Sequence, residues 1–396
     1  MLDSLLALPS LILVYIAHLL SSLRRPLILV SVLCILTNPA AAIRKLKIAY
    51  LSVLYLLFCN DKRFQIPKDD PAAYFPKEMG GAAAAKLDGA TYKSKTVLLI
   101  RHGESTWNDT FNPGDRHKLV FLLFFVPNMI YAVVMELYFF VSGKDADSWF
   151  FDSALSGKGV KQSEGLRKFL KKEKLRLGSL PNPEEERAVR LLLALEAENG
   201  GPAESHVVSS NLRRAISTAA IGLADRFAVT SRRSSSNDPI TLLPCLQEIS
   251  RNPDALSIIP ARGVAHPTWC DENIPGVDDF SALVNTSIHG GNKPLSTNGL
   301  IRLEEFCRSI FDDGILPKDV VIAAGHSLFF RSFFQCFLPR EPKGEEHIGK
   351  KKKIVNGGVV MVTLHEVTMT DRKKVYLIDK QSVTVIYGGF GKHTKG

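Results

Sequence analysis

Apolar positions dominate the first 60 residues of the chain. Residues 4–22 carry no charged side chain and are about as long as a helix must be to cross a bilayer core of about 30 Å. A second apolar run covers residues 26–42, and a third, over residues 48–58, is too short to span a bilayer alone. Because positive charge follows the first run instead of preceding it, a cleaved signal peptide is disfavoured. We predict a hydrophobic membrane-anchor region over residues 1–60 with one or two passes; the alternative is a buried helical hairpin on a soluble domain.

Two arginines after the first run bear on its orientation. If that run is the only span, the positive-inside rule places Arg24, Arg25 and the chain that follows on the cytosolic side. A second span over residues 26–42 would reverse this orientation, and basic residues flank that run on both sides. We therefore expect a membrane location with the rest of the chain facing the cytosol, and we leave the organelle open.

The pattern changes twice beyond the apolar region. Residues 61–94 contain many Pro, Gly, Ala and Asp without a sustained period, which predicts a linker. From residue 95 to residue 396, short β-branched runs alternate with amphipathic segments, which predicts an α/β sandwich around one sheet. We place strands at residues 97–100, 207–209, 320–324, 358–364 and 374–387, and helices at residues 165–177, 184–196, 212–228 and 300–311.

Composition and charge narrow the classes of function. Hydrophobic residues make up 45% of the 396 positions and charged residues 23%, which is ordinary for a globular protein. The six cysteines lie far apart without a C-x-x-C pair, which argues against a disulfide framework and a zinc cluster. A net charge of +10 favours anionic partners. No nucleic-acid-binding module is visible, and the four lysines at residues 350–353 indicate either a surface for acidic lipid or a solvated loop.

Residues that could bind a ligand or take part in catalysis lie where predicted strands end. The first strand runs into residues 101–108 (RHGESTWN), and the strand at residues 320–324 runs into Gly325-His326. Residues 210–219 (SNLRRAISTA) open a helix after another strand, and Glu248 follows later. Open α/β sheets bind ligands at the carboxyl ends of their strands, so these side chains are expected to converge there. Taken alone, each histidine or arginine would equally suit surface hydrogen bonds.

Together these motifs resemble the histidine phosphatase superfamily, in its phosphoglycerate mutase-like branch. The R-H-G-E-S-x-W-N signature is matched at residues 101–108, and S-x-L-x-R-A-x-x-T-A is matched at residues 210–219. The second match assigns Arg214, and not Arg213, to the arginine of the family. Residues 152–162 resemble the element D-x-x-L-[ST]-x-x-G-x-x-Q. The resemblance covers about residues 95–390 and implies a three-layer α/β/α sandwich around a mostly parallel sheet.

The resemblance also implies a mechanism. Neutral His102 would attack a phosphoryl group and form a phosphohistidine. Arg101, Arg214 and Asn108 would bind the phosphate oxygens, and His326 would donate a further hydrogen bond. Glu248 would act as general acid and then as general base. We expect no cofactor and no metal, since cationic side chains replace the metal charge.

Three functions remain open at this point. The first is a membrane-anchored phosphomonoester hydrolase whose substrate is a phosphorylated small molecule or lipid. The second is a phosphoglycerate mutase-type phosphotransferase, which residues 249–253 (ISRNP) disfavour because mutases carry R-x-Y-G after the glutamate. The third is a non-catalytic membrane scaffold, disfavoured because both histidines are present. Oligomeric state is not predicted.

A hydrophobic insertion at residues 109–151 is the unusual feature of the predicted catalytic domain. Residues 119–141 are apolar apart from Asn128 and Glu136. Both flanks belong to one domain, so a single membrane crossing is excluded. A hairpin broken near Pro127, an interfacial helix and a helix packed on the amino-terminal apolar segments all remain. Our hypothesis is that the insertion lies on the membrane beside the active-site mouth; the alternative is a lid packed on the domain.

Overall fold

The structure, a computed structural model, covers most of the chain from residue 38 onward. It describes residues 21–22, 28–29, 32, 35–36, 38–81, 89–114, 116–144, 147–195, 204–231, 238–271, 274, 277, 279–342 and 344–391. The predicted membrane run at residues 4–22 falls almost wholly outside these residues, and the run at residues 26–42 falls outside them in part. The number of membrane passes therefore stays a prediction.

Eight strands form one sheet with the order β4-β3-β2-β5-β1-β6-β7, and β8 pairs with β6. They are β1 (Thr91–Arg101), β2 (Ser205–Ser209), β3 (Ile240–Leu242), β4 (Val284–Asn285), β5 (Val320–Gly325), β6 (Val359–Thr368), β7 (Lys374–Ile378) and β8 (Thr384–Tyr387). Strands β1 to β5 pair in parallel, whereas β6 is antiparallel to β1, β7 and β8. The predicted mostly parallel sheet is confirmed.

Helices cover both faces of this sheet. They are α1 (Pro39–Phe58), α2 (Thr106–Phe111), α3 (Lys118–Val141), α4 (Gly157–Lys174), α5 (Pro183–Leu193), α6 (Arg213–Gly222), α7 (Ala224–Ser231), α8 (Phe280–Leu283), α9 (Gly299–Ile310), α10 (Ser327–Phe337) and α11 (Ile348–Lys351). Leu98 and Ile100 of β1 pack in one core with α4, α5 and α6, while Val97 and Leu99 pack in a second core with α9 and α10. Alternating side chains of β1 thus pack into two cores, one on each face of the sheet. The three-layer sandwich is therefore confirmed.

Several element boundaries differ from those expected. The predicted helix at residues 212–228 is two helices, α6 and α7, separated at Leu223. The predicted strand at residues 374–387 is β7 and β8 with a 3₁₀ turn between them. Helix α10, with the sequence SLFFRSFFQCF, was not predicted; it is buried except along one face, where Leu328, Arg331 and Gln335 are half-buried.

Parts of the predicted linker at residues 61–94 pack onto the domain. The side chain of Asp61 is wholly buried against α9, and Phe75 is wholly buried beside Tyr92. Strand β1 already begins at Thr91. Helix α1, which precedes this segment, also packs on the domain. Its Tyr55 donates a hydrogen bond to the backbone of Lys293.

Helix α3 forms the hydrophobic insertion, and it runs through Pro127 without a break. The predicted alternative of a hairpin broken near Pro127 is therefore wrong. Among the described residues, α3 is the one helix long and apolar enough to cross a membrane, yet only Ala132 and Phe139 along it are buried. Its Glu136 pairs with Lys45 of α1 at 2.6 Å, so the two apolar helices meet at this ion pair.

Candidate active site

A cavity of about 280 Å³ opens where β1 and β5 end. Arg101 and Gly325 are paired in the register of these strands, so the residues that follow them, His102 and His326, emerge together. The walls of the cavity are formed by Arg101, His102, Glu104, Asn108, Asn112, Gly114, Arg214, Glu248, Ser250, Asn252, Asp254, Ser327, Leu328, Lys353 and Asn356. Five of the six side chains proposed from the sequence are thus brought to one cavity.

The imidazole of His102 is held in one tautomer. Its Nδ1 lies 2.5 Å from the carbonyl oxygen of Gly103, and since a carbonyl can only accept, Nδ1 carries the proton. Its Nε2 therefore keeps a lone pair. Burial, with Arg214 and Arg101 nearby, lowers the pKa of His102 well below 6.5. The ring is consequently neutral at pH 7.

Glycine is required at the turn that carries His102. A Cβ atom at Gly103 would lie 2.5 Å from the backbone oxygen of Gly159, at the first turn of α4. The Gly103 amide also donates to Thr218 Oγ1 at 3.0 Å, and the amide of Glu104 donates to Gln162 Oε1 at 2.8 Å. The segment at residues 152–162 thus supports the histidine turn through close backbone contact.

Two buried arginines flank the histidine. Arg101 donates from Nη1 to the carbonyl of Ile354 at 2.6 Å, and Arg214 donates from Nη1 to the carbonyl of Asp254 at 2.7 Å. The Nε–H of each has no partner within the described part of the chain. Burial lowers the pKa of Arg101 to about 10, so it remains charged at pH 7. Buried donors without partners are costly, and an anion in the cavity would satisfy them.

Arg213 and Arg214 have different surroundings, although they are adjacent in sequence. Arg213 is buried in ion pairs with Asp147 and Asp152 and does not line the cavity. Arg214 lines the cavity and contacts Asp254, whose pKa is raised by burial to about 6. The arginine chosen from the motif is therefore the one that faces the cavity.

His326 lies against His102 but is not part of the cavity wall. The two ring centroids are 4.9 Å apart, and His326 is fully buried. Its Nε2 is 2.8 Å from Ser210 Oγ, while its Nδ1 has no partner among the described residues. Burial and Arg214 lower the pKa of His326 well below 6.5, which makes this ring neutral as well.

Glu248 is held at the amino terminus of α10. Its Oε1 accepts hydrogen bonds from the backbone amides of Ile249 at 2.9 Å and Phe329 at 3.1 Å. Asn108 stands on another part of the wall, and its Oδ1 accepts a hydrogen bond from Asn112 at 2.6 Å. The amide nitrogen of Asn108 therefore keeps its donors for a ligand.

A buried ionic cluster supports the loop that carries Glu248. Asp61 binds Lys293 Nζ and Arg302 Nη2, each at 2.6 Å, and none of the three side chains is more than 1% exposed. Lys293 donates to the carbonyls of Glu248 and Ser250 at 2.6 and 2.7 Å. The cluster thus fixes the backbone on both sides of the carboxylate. Nothing in the motifs indicated it.

Sequence reasoning also missed eight polar side chains of the wall. These are Glu104, Asn112, Ser250, Asn252, Asp254, Ser327, Lys353 and Asn356. Asn356 donates from Nδ2 to the carbonyl of His102 at 3.0 Å. Lys353 belongs to the lysine run at residues 350–353, which was interpreted as a lipid surface or a solvated loop. The only available signal for it was its position just before a strand rich in β-branched residues.

Several solved structures similar to this chain come from mycobacteria. Mycobacterial hydrolase 1 shares 13% sequence identity over 76% of this chain and 100% of its own, with a TM-score of 0.30. An open reading frame product of Mycobacterium tuberculosis shares 12% identity over 76% and 99%, with a TM-score of 0.30. A mycobacterial glucosyl-3-phosphoglycerate phosphatase shares 14% identity over 68% and 91%, with a TM-score of 0.28. No protein-family model and no curated protein matches the chain. Because likeness at this level carries no argument about activity, we derive the function from the side chains of the cavity.

Proposed function

We propose that this chain is a phosphomonoester hydrolase of the histidine phosphatase superfamily that acts through a phosphohistidine at His102. The supporting observation is the state of that imidazole. Its Nδ1 donates to Gly103, burial keeps its pKa well below 6.5, and Arg101 and Arg214 line the same cavity. A neutral imidazole with a lone pair on Nε2 is the form that attacks phosphorus.

In the first step, Nε2 of His102 forms a bond to phosphorus while the bond from phosphorus to the ester oxygen breaks. The leaving alkoxide takes a proton from Glu248, which lines the same cavity. Negative charge on the equatorial oxygens is balanced by Arg101 and Arg214 and by a hydrogen bond from Asn108, all of which line the cavity.

In the second step, water attacks the phosphohistidine. Glu248, now a carboxylate, accepts a proton from the water as its oxygen bonds to phosphorus. The bond from phosphorus to Nε2 breaks, inorganic phosphate leaves, and both His102 and Glu248 return to their starting protonation states. The step consumes one water and needs no other reactant.

Trapping the phosphoenzyme tests this proposal. We expect ³²P from a labelled phosphomonoester to appear on the protein as an alkali-stable, acid-labile adduct and then as inorganic phosphate. A panel of sugar, glycerate, protein and lipid phosphates, with and without detergent, supplies the substrates. Label that moves to a second position of the substrate would identify a phosphotransferase instead. Absence of both labelled protein and released phosphate across the panel would reject the enzyme.

We further propose that the enzyme is membrane-anchored and that α3 lies along the lipid surface. Beyond Lys118, the exposed side chains of α3 are apolar, among them Leu119, Leu122 and Leu123, which are 63–74% exposed. Contacts of Phe125 with Phe111 and of Tyr131 with Trp149 hold one flank of α3 to the domain. A helix attached along its flank is suited to lie in the interface rather than to cross the bilayer. Because Gly114 lines the cavity, α3 begins close to the cavity mouth.

Fluorescence quenching by brominated acyl chains tests the position of α3. We expect the L123W variant to gain strongly quenched fluorescence in anionic vesicles, because position 123 would contact lipid. The matched control is L175W, at an 88% exposed leucine just after α4. Fluorescence from the three native tryptophans is subtracted with the wild-type protein. If L123W were quenched as weakly as the control L175W, α3 would lie away from the acyl chains.

A further inference from the structure

A second cavity, of about 770 Å³, lies between α1 and the loop at residues 257–266, and we call it the α1 cleft. None of its described lining residues also lines the catalytic cavity. Arg213 is part of its wall, whereas the adjacent Arg214 faces the catalytic cavity, so the two cavities are neighbours but separate. The volume lies within the usual range of about 300–1,000 Å³ for small-molecule sites.

Two sets of contacts fix α1 at the edge of the cleft. Ile48 of α1 belongs with Leu256 to a small buried apolar cluster. Lys45 Nζ donates to Glu136 Oε1 at 2.6 Å and to the carbonyl oxygen of Asp147 at 3.1 Å. Because apolar packing and hydrogen bonds both hold the helix, the cleft is a built feature of the domain.

The side of the cleft that α1 forms is basic. Arg44, Lys45 and Lys47 line it, and Arg44 and Lys47 are exposed at its rim. Asp147 is the one carboxylate among the described lining residues, and it pairs with Arg213. The lining therefore carries more positive than negative charge, which favours an anion at the rim.

Other parts of the cleft wall are apolar. Leu51 of α1 lies on one side, and Ile258, Pro260 and Val264 lie on the facing loop. Leu51, Pro260 and Val264 are exposed to solvent in the open cleft, and Ile258 is half-buried. A basic rim beside apolar walls matches a ligand that has an anionic head and a hydrocarbon tail.

Two occupants have apolar surface to offer: a bilayer lipid, and the chain's own apolar run at residues 4–22. That run carries no charged side chain, so it provides no anion for Arg44 and Lys47. A lipid with an acidic headgroup matches both the rim and the walls. It also has apolar surface leading to the cleft, because Ile43 and Leu46 of α1 are exposed.

We propose that the α1 cleft binds one acidic phospholipid from the bilayer, with its phosphate at Arg44 and Lys47 and an acyl chain along Leu51 and Ile258. The lipid is a ligand and not the substrate, because His102 does not line this cleft. The inference rests on the proposed membrane location and is independent of the proposed hydrolysis.

Native mass spectrometry of the full chain in a neutral detergent tests the basic rim. The probes are phosphatidylglycerol and phosphatidylcholine with the same acyl chains. We expect wild type to bind one phosphatidylglycerol in preference to phosphatidylcholine. R44Q/K47Q should weaken phosphatidylglycerol binding by about thirtyfold and lose the preference, since each cation contributes about fivefold. The matched control is K168Q/K172Q, which removes two exposed lysines of α4 outside the cleft and should bind as wild type.

A bulky side chain in the cleft tests the acyl-chain position. Ala261 is exposed and lines the cleft, so A261W should fill it without changing any charge and should weaken binding of both lipids. A282W, at an exposed alanine outside the cleft, is the control and should bind as wild type. Thermal midpoints close to that of wild type verify that each variant is folded.

Several results would overturn the proposal. Equal binding of the two lipids by wild type, or an equal loss in the two double variants, would mean that lipid adheres to apolar helices or to net charge. Displacement of phosphatidylglycerol by inorganic phosphate would make the rim a site for the free anion. Full-length protein that binds neither lipid would place residues 4–22 in the cleft. The measurement involves no turnover, so lipid binding without phosphate release from any substrate would reject only the proposed hydrolysis.

Discussion

The H102A variant should lose phosphate release by at least about a thousandfold while keeping its fold. Removing a nucleophile eliminates the covalent route, and only weak catalysis by the remaining charges persists. The loss should appear in kcat, and no phosphoenzyme should be trapped. Release of inorganic phosphate, measured in single-turnover and steady-state assays, checks both points.

The matched control is H266A, because His266 is an exposed histidine outside the cavity. It should retain wild-type turnover and acquire label normally. Circular dichroism and the thermal midpoint of H102A must stay close to those of wild type, so that the loss is attributed to chemistry. Turnover in H102A at the level of H266A would refute the role of nucleophile.

The D61A variant should lower the free energy of unfolding by about 3–5 kcal/mol, the usual penalty for breaking a buried ion pair. Lys293 and Arg302 would both remain buried with no carboxylate between them. Burial already lowers the pKa of Lys293 to about 8, so its charge is held in place chiefly by Asp61. Chemical denaturation, with the slope compared between proteins, measures the change.

The control for this prediction is D69A, at an exposed aspartate of the same segment. A surface substitution of this kind should change stability by no more than about 0.5 kcal/mol. A difference between D61A and D69A below about 1 kcal/mol would mean that the cluster is not structural. D61A that remains folded at low temperature should also turn over more slowly, because Lys293 positions the backbone of Glu248.

The sequence predicted those parts of the cavity that are formed by short motifs, in which the residues lie close together along the chain. A buried strand ending in Arg101-His102 and another ending in Gly325-His326 had to meet once the sheet was parallel, because their carboxyl ends share one edge. Motif spacing also separated Arg214 from Arg213, whose side chains point to different partners. The helix–strand alternation predicted an α/β sandwich around one sheet, and the family resemblance added the three layers.

Contacts between distant segments were not predictable in this way. Asp61 meets Lys293 and Arg302 across more than 200 positions, and no local pattern marks it. Lys353 resembles its neighbours in the lysine run, and only pairing of β6 with β1 brings it to the cavity. The sequence left three arrangements open for helix α3, because apolar composition alone does not decide whether a proline ends a helix.

The contacts of α1 and Asp61 have a practical consequence for preparing the protein. Trimming the chain at residue 60 to obtain a water-soluble fragment would remove Tyr55 and its contact with the backbone of Lys293, and would leave Asp61 at the new amino terminus beside a positive charge. A truncation that preserves activity should begin before Asn38, whose side chain caps α1. The exposed apolar surface of α1 must then be covered by detergent or lipid rather than deleted.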